Sequence, residues 1–155
     1  MLAKSILAAT TSLLLLGPPR IAVQTRNLAA GEFARIEAHF HTDEEEARVY
    51  GTVYSWRNGQ RAETDLPLER IDAQHYRVRR SWDAAIPVVL VLGVEQGEDG
   101  KHGVAEALVR VTRGGRIAAV DVARTNPIIG SAQPRRVTDR EIEDGLDQLG
   151  ARAAD

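Results

Sequence analysis

The sequence predicts an all-β protein, an antiparallel β-sandwich of about seven strands followed by a short C-terminal α-helix. Three observations carry that expectation. Apolar residues recur mostly at every second position between Phe33 and Ala123, the period of a strand with one buried face. Turn-forming pairs, Asn58-Gly59, Asp99-Gly100 and Gly114-Gly115, separate the strand-like runs at the spacing of a sandwich. The most apolar stretch after the N-terminal segment, Ile86 to Val94, is short and rich in β-branched residues, which suits an innermost strand better than a helix.

The first strand is expected near Ala34, Ile36, Ala38 and Phe40, which share one side, with Arg35, Glu37 and His39 on the other. After the acidic run Asp43 to Glu46, Val49, Gly51 and Val53 alternate with Tyr50, Thr52, Tyr54 and Trp56; bulk on both faces marks a central strand. Asn58-Gly59 then predicts a two-residue hairpin, because a type I′ turn needs positive φ at both central residues. The next strand is expected from Arg61 to about Leu68, with Pro67 marking its end or a sheet edge, since proline donates no ladder hydrogen bond. A loop over Leu68 to Ala73 leads to a strand from Gln74 to Trp82, where Tyr76, Val78 and Trp82 oppose His75, Arg77 and Arg79. Ile86 to Val94, Gly103 to Thr112 and Arg116 to Ala123 complete the set.

The segment 124–137, with two prolines and no period, reads as a linker or a strap across the sandwich. Thr138-Asp139-Arg140-Glu141 is a capping-box pattern, in which the threonine oxygen accepts from the backbone three residues on and the glutamate reaches back. A helix over residues 138–154 follows, with Ile142, Leu146 and Leu149 as its apolar stripe.

At the N-terminus, Lys4 precedes an apolar run from Ser5 to Leu16 that ends at Gly17-Pro18-Pro19-Arg20. A positive charge, a dozen apolar residues and a breaker form the pattern of an export leader, assigned to residues 1–25. The run is short of the roughly 20 residues that span a bilayer, so no membrane span beyond the leader is expected. Small residues are wanted one and three positions before a leader cut, and the sequence supplies them poorly. A cut after Thr25 or near Ala29-Ala30 is tolerable, and an uncleaved anchor is the alternative. The expected address is the periplasm or the exterior, and the absence of Asn-x-Ser/Thr sites together with the Arg and Ala content fits a bacterial envelope.

Composition narrows the function classes. With no cysteine there is neither a disulfide nor a lipoprotein-type lipid attachment, and the remaining chain is long enough for one core without staples. A net charge of −2 argues against nucleic acid as a partner. No Gly-x-Ser-x-Gly, His-Glu-x-x-His or phosphate-loop motif occurs, so no catalytic residue and no cofactor is assigned.

Two candidate sites remain. His39 and His41 lie two apart on a strand and present two imidazoles to one side, with Asp43 and Glu44 as nearby oxygen donors for a weakly bound metal. Tyr54 and Trp56, together with His75, Arg77 and Arg79, form a candidate ligand or partner surface, the cations as an anion-binding stripe helped by Arg57 and Arg61. The aromatics suit stacking on a sugar or a peptide.

The stretch Gln74-His75-Tyr76-Arg77-Val78-Arg79-Arg80-Ser81-Trp82, followed by Val88-Val89-Leu90-Val91-Leu92, resembles the central signature of small exported sandwiches of the YtkA-like type, over about a third of the domain. It departs from that pattern at Ala85-Ile86-Pro87. The resemblance implies an immunoglobulin-like fold and an extracytoplasmic address, and supplies no catalytic residue. The expected function is a non-catalytic binding or structural module of the cell envelope, with an envelope protein as partner. The alternatives are weak periplasmic metal binding through His39 and His41, and an accessory carbohydrate- or peptide-binding domain using exposed aromatics.

Overall fold

The computed structural model describes residues 17–41, 46–127 and 130–150. Nine strands and one helix follow in order: β1 (Arg20–Gln24), β2 (Ala34–His39), β3 (Ala47–Arg57), β4 (Gln60–Asp65), β5 (Leu68–Arg70), β6 (His75–Val78), β7 (Val88–Gln96), β8 (Val104–Val111), β9 (Ile117–Val122) and α1 (Asp139–Gln148). They make two antiparallel sheets, one of order β1-β2-β6-β5 and one of order β4-β3-β7-β8-β9. With the strands lettered in sequence, that is the ABED sheet facing a C′CFG sheet, the order of an immunoglobulin-like sandwich, with β9 added at the far edge.

Alternation builds the core. Ala34, Ile36 and Ala38 of β2 and Val78 of β6 face Val88, Leu90, Leu92 and Val94 of β7 and Ala105, Ala107, Val109 and Val111 of β8. Phe33 and Trp82 close one end with an edge-to-face ring contact at 4.9 Å between centroids. The β3–β4 hairpin turns at Asn58 and Gly59 with φ of 52° and 72°, the type I′ geometry that an Asn-Gly pair supplies without strain.

Three segments differ from the sequence-based expectation, the first being the strand expected from Gln74 to Trp82, which covers only His75–Val78. Leu68–Arg70, expected as loop, is strand β5 and pairs with β6 through Leu68↔Val78 and Arg70↔Tyr76. Pro67 therefore marks where the chain leaves the five-stranded sheet for the other one, and the strand expected from Arg61 to Leu68 is two strands in two sheets. Arg20–Gln24, assigned to the leader, is strand β1, paired with β2 over five positions from Arg20↔His39 to Gln24↔Arg35. Its Ile21 is buried, and Pro19 just before it is fully buried.

The strap after β9 lies against the sandwich. Thr125 N–H donates to Gln133 O at 2.8 Å, and Arg135 N–H donates to Ala123 O at 3.2 Å. Helix α1 begins at Thr138 with the expected capping box and sits on the outer face of the five-stranded sheet. Ile142 and Leu146 pack there on Val89, Val91 and Leu108. Both faces of β7 are thus covered, and all nine of its residues are buried.

Candidate functional site

The helix reaches the sheet closely because Gly145 faces it. A Cβ at Gly145 would lie 3.1 Å from Cγ2 of Val89, so a larger residue here fits only if Val89 or the helix gives by a few tenths of an ångström. Arg61 of β4 holds the near side, with Nη2 2.9 Å from Asp139 and Nη1 3.6 Å from Glu143. Arg135 holds the strap to the helix through two bonds to Glu141, at 2.7 and 2.8 Å. These bonds, with the Thr138 backbone, hold the Glu141 carboxyl at about 2, well below the ordinary carboxylate value.

Beside the helix lies a buried polar cluster. Glu95 of β7 and Glu106 of β8 are both nearly inaccessible, and Arg136 of the strap lies between them, 3.0 Å from Glu95 and 3.5 Å from Glu106. Tyr50 donates its hydroxyl proton to Glu106, and the Val137 N–H donates to the other oxygen of that carboxylate at 2.6 Å. Arg48 bonds Glu95 at 2.7 Å, with its guanidinium 4.9 Å from the centre of the Tyr50 ring. Two carboxylates and two guanidinium groups balance, the condition under which buried charge is tolerated. Burial, and then the Glu106 carboxylate, push the Tyr50 hydroxyl far up, so it stays a donor.

On the other side of the helix, a groove of about 490 Å³ runs between α1, the strap and strands β8 and β9. Leu108 and Val137 give it apolar surface, and Arg110, Arg124 and Arg135 stand around it. Arg110 is held by Asp121 at 2.9 Å and Arg135 by Glu141; the Arg124 side chain makes no ion pair among the described residues. The groove borders an open sheet edge, because β9 is the last strand of its sheet. Ala123 N–H donates inward to Glu106 O, so by alternation the backbone groups of Val120 and Val122 point away from β8.

The residues singled out from the sequence fall in three separate places. His39 and His41 have their rings edge to face at 4.8 Å between centroids, with Gln74 Nε2 3.2 Å from His39 Nδ1. Asp43 and Glu44 lie outside the described residues, and among the described residues no group of three or more His, Cys, Asp or Glu could hold a metal ion. On β6, His75 pairs with Asp72 at 2.9 Å, while Arg77 and Arg79 both pair with Glu69, at 2.7 and 3.0 Å. The Glu69 carboxyl is held down by Arg79 and Arg77. The cationic stripe is thus matched by acids, and Arg57 and Arg61 belong to the opposite sheet rather than to a neighbouring strand. Tyr54 and Trp56 are half-buried against α1 and its sheet positions, and Arg61 lies over the Tyr54 ring at 5.6 Å.

Neither the Tyr50, Glu95, Glu106 and Arg136 cluster nor the groove was expected. Each of those residues is ordinary in its local sequence, and only the pairing register brings them together. Comparison with protein-family models, with curated proteins and with solved structures finds no match for this chain. The likeness to YtkA-like domains therefore rests on the residues quoted above.

Proposed function

We propose that the chain is an exported, non-catalytic binding module of the cell envelope, which takes an extended, acid-bearing segment of a partner protein along the open edge of β9. The groove beside that edge carries the reading. An added strand finds outward backbone groups at Val120 and Val122, apolar surface at Leu108 and Val137, and an uncommitted cation at Arg124. The edge itself, Ile117-Ala118-Ala119-Val120-Asp121-Val122, carries one charge and no proline, and beyond the irregularity in its pairing near Ala118 the run Ala119 to Val122 has little to keep it unpaired. Docking through a broad apolar face is less well supported, since Ile71 is the one large apolar side chain left exposed among the described residues.

Four carboxyls are tied into local pairs. Arg35 holds the Glu32 carboxyl low, the backbone N–H of Gln74 and then His75 do so for Asp72, and Glu69 and Glu141 are held low by arginines. Export is supported by the pattern of Lys4 and the apolar run Ser5 to Leu16.

A photoreactive residue placed at exposed Ala118, in cells that make the protein, tests the reading against a second one at Glu63 on the opposite edge. The expected result is one discrete adduct from position 118 that Arg124→Glu abolishes, and none from position 63. No adduct at 118, or equal adducts at both edges, would contradict the proposal.

A further inference from the structure

We propose that the chain keeps its apolar leader and is held at the membrane by it, because no cut suited to a leader peptidase leaves the sandwich whole. This rests on the export reading given above and adds how the exported domain is retained. The folded domain begins immediately after the apolar run. Gly17 O accepts a bond of 3.4 Å from Nε2 of Gln96, a fully buried side chain that also accepts from the His41 N–H and donates to His102 O. Pro19 is fully buried against Gly103, where φ is +122° and a Cβ would come within 2.7 Å of Pro19 Cδ. Strand β1 follows at Arg20 with no intervening spacer.

The sequence offers no acceptable cut ahead of that point. A cut after Gly17 has Leu15 three positions before it and Pro18 next after it, and cuts after Pro18 or Pro19 place proline where a small residue is needed. Ser12 with Thr10 satisfies the size rule but falls within the apolar run that has to precede a cut. The sites with small or tolerated residues, after Thr25 and at Ala29-Ala30, lie beyond β1 and would discard it together with Pro19 and Ile21. Leader cleavage precedes folding, so the fold does not shield these sites; a product cut there lacks β1. The run from Ser5 to Leu16 is shorter than a bilayer span, so the attachment is that of a retained leader, and the end of the sandwich formed by Gly17, His41, Gln96 and Gly103 faces the lipid surface.

The test expresses the full chain in a bacterial host with a C-terminal alkaline phosphatase fusion to score export, and without it to measure intact mass in the membrane and soluble envelope fractions. The expected result is an active fusion and a full-length mass of 155 residues in the membrane fraction, released by mild detergent. A soluble product beginning between Pro18 and Arg20 would overturn retention while leaving β1 in the domain. A folded product beginning after Thr25 or Ala30 would overturn the role of β1 as well. An inactive fusion would overturn the export reading itself, and retention with it. The Leu15→Ala/Pro18→Ala variant supplies the missing cut after Gly17, changing an exposed proline and a leader residue; it is expected to lose the leader and appear as a soluble, folded domain. If that variant stays whole in the membrane, the missing site is not what retains the leader.

Discussion

Tyr50 and Gly93 stand directly opposite each other on β3 and β7, and the Tyr50 ring lies flat over Gly93 to reach Glu106 on β8. One side chain thereby ties three neighbouring strands together. A Cβ at position 93 would come 2.6 Å from the Tyr50 hydroxyl oxygen, closer than any ordinary contact.

Gly93→Ala is therefore expected to lower stability by about 1–3 kcal/mol through overpacking. The same substitution in a Tyr50→Ala background should cost much less, because the obstructing ring is gone. Urea denaturation of the four proteins checks this. Additive losses would mean that the ring and the glycine do not share that space.

Glu106→Ala leaves the Tyr50 hydroxyl and the Val137 N–H without their acceptor. Each buried group left unpaired costs about 1–3 kcal/mol. The strap is expected to loosen before the sandwich does, so hydrogen exchange should quicken at Arg135 to Thr138 while β2 and β7 remain protected.

Glu141 links stability to acid. Its pKa falls from an ordinary value of 4.5 to about 2 in the folded chain, chiefly through its bonds to Arg135. The unfolded chain thus takes up the proton first, and the stabilisation is complete above about pH 4.5 and lost as pH falls toward 2. The Glu141 side chain is 40% exposed, so solvent screens the pair and the effect is modest. Denaturation midpoints measured between pH 5 and 2.5 should fall less steeply for Glu141→Gln than for the unaltered chain.

The proposal that the exposed His39 and His41 rings share a weakly held metal ion is directly testable, the rings meeting edge to face at 4.8 Å between centroids. Titration with copper(II) and zinc(II) is expected to show weak binding that His39→Ala/His41→Ala removes. Equal binding by both proteins would exclude this pair as the site.

Strand periodicity made most of the fold legible. Ala34, Ile36 and Ala38 alternate strictly, Asn58-Gly59 forms the turn its chemistry demands, and the Ile86 to Val94 run holds most of the innermost strand, Val88–Gln96. What stayed hidden depended on neighbours in space. Ile21-Ala22-Val23 resembles the tail of a leader until β2 is placed beside it. Leu68-Glu69-Arg70 is too short and too charged to show a period, and its strand exists because β6 supplies the partner. Val89 and Val91 mark β7 as apolar on both faces, but only the docked helix shows why. The polar cluster was illegible for the same reason: Tyr50, Glu95, Glu106 and Arg136 lie far apart in the chain, and the β3–β7–β8 register brings them together.

Strand β7 is enclosed on both faces, by the opposite sheet on one side and, on the other, by α1 over Val89 and Val91 and by the Tyr50 ring over Gly93. Native-state hydrogen exchange followed by mass spectrometry tests it most directly. Val88–Gln96 is expected to be the slowest-exchanging segment of the chain, opening only with global unfolding. Exchange of that segment as fast as the strap at residues 130–135 would contradict it.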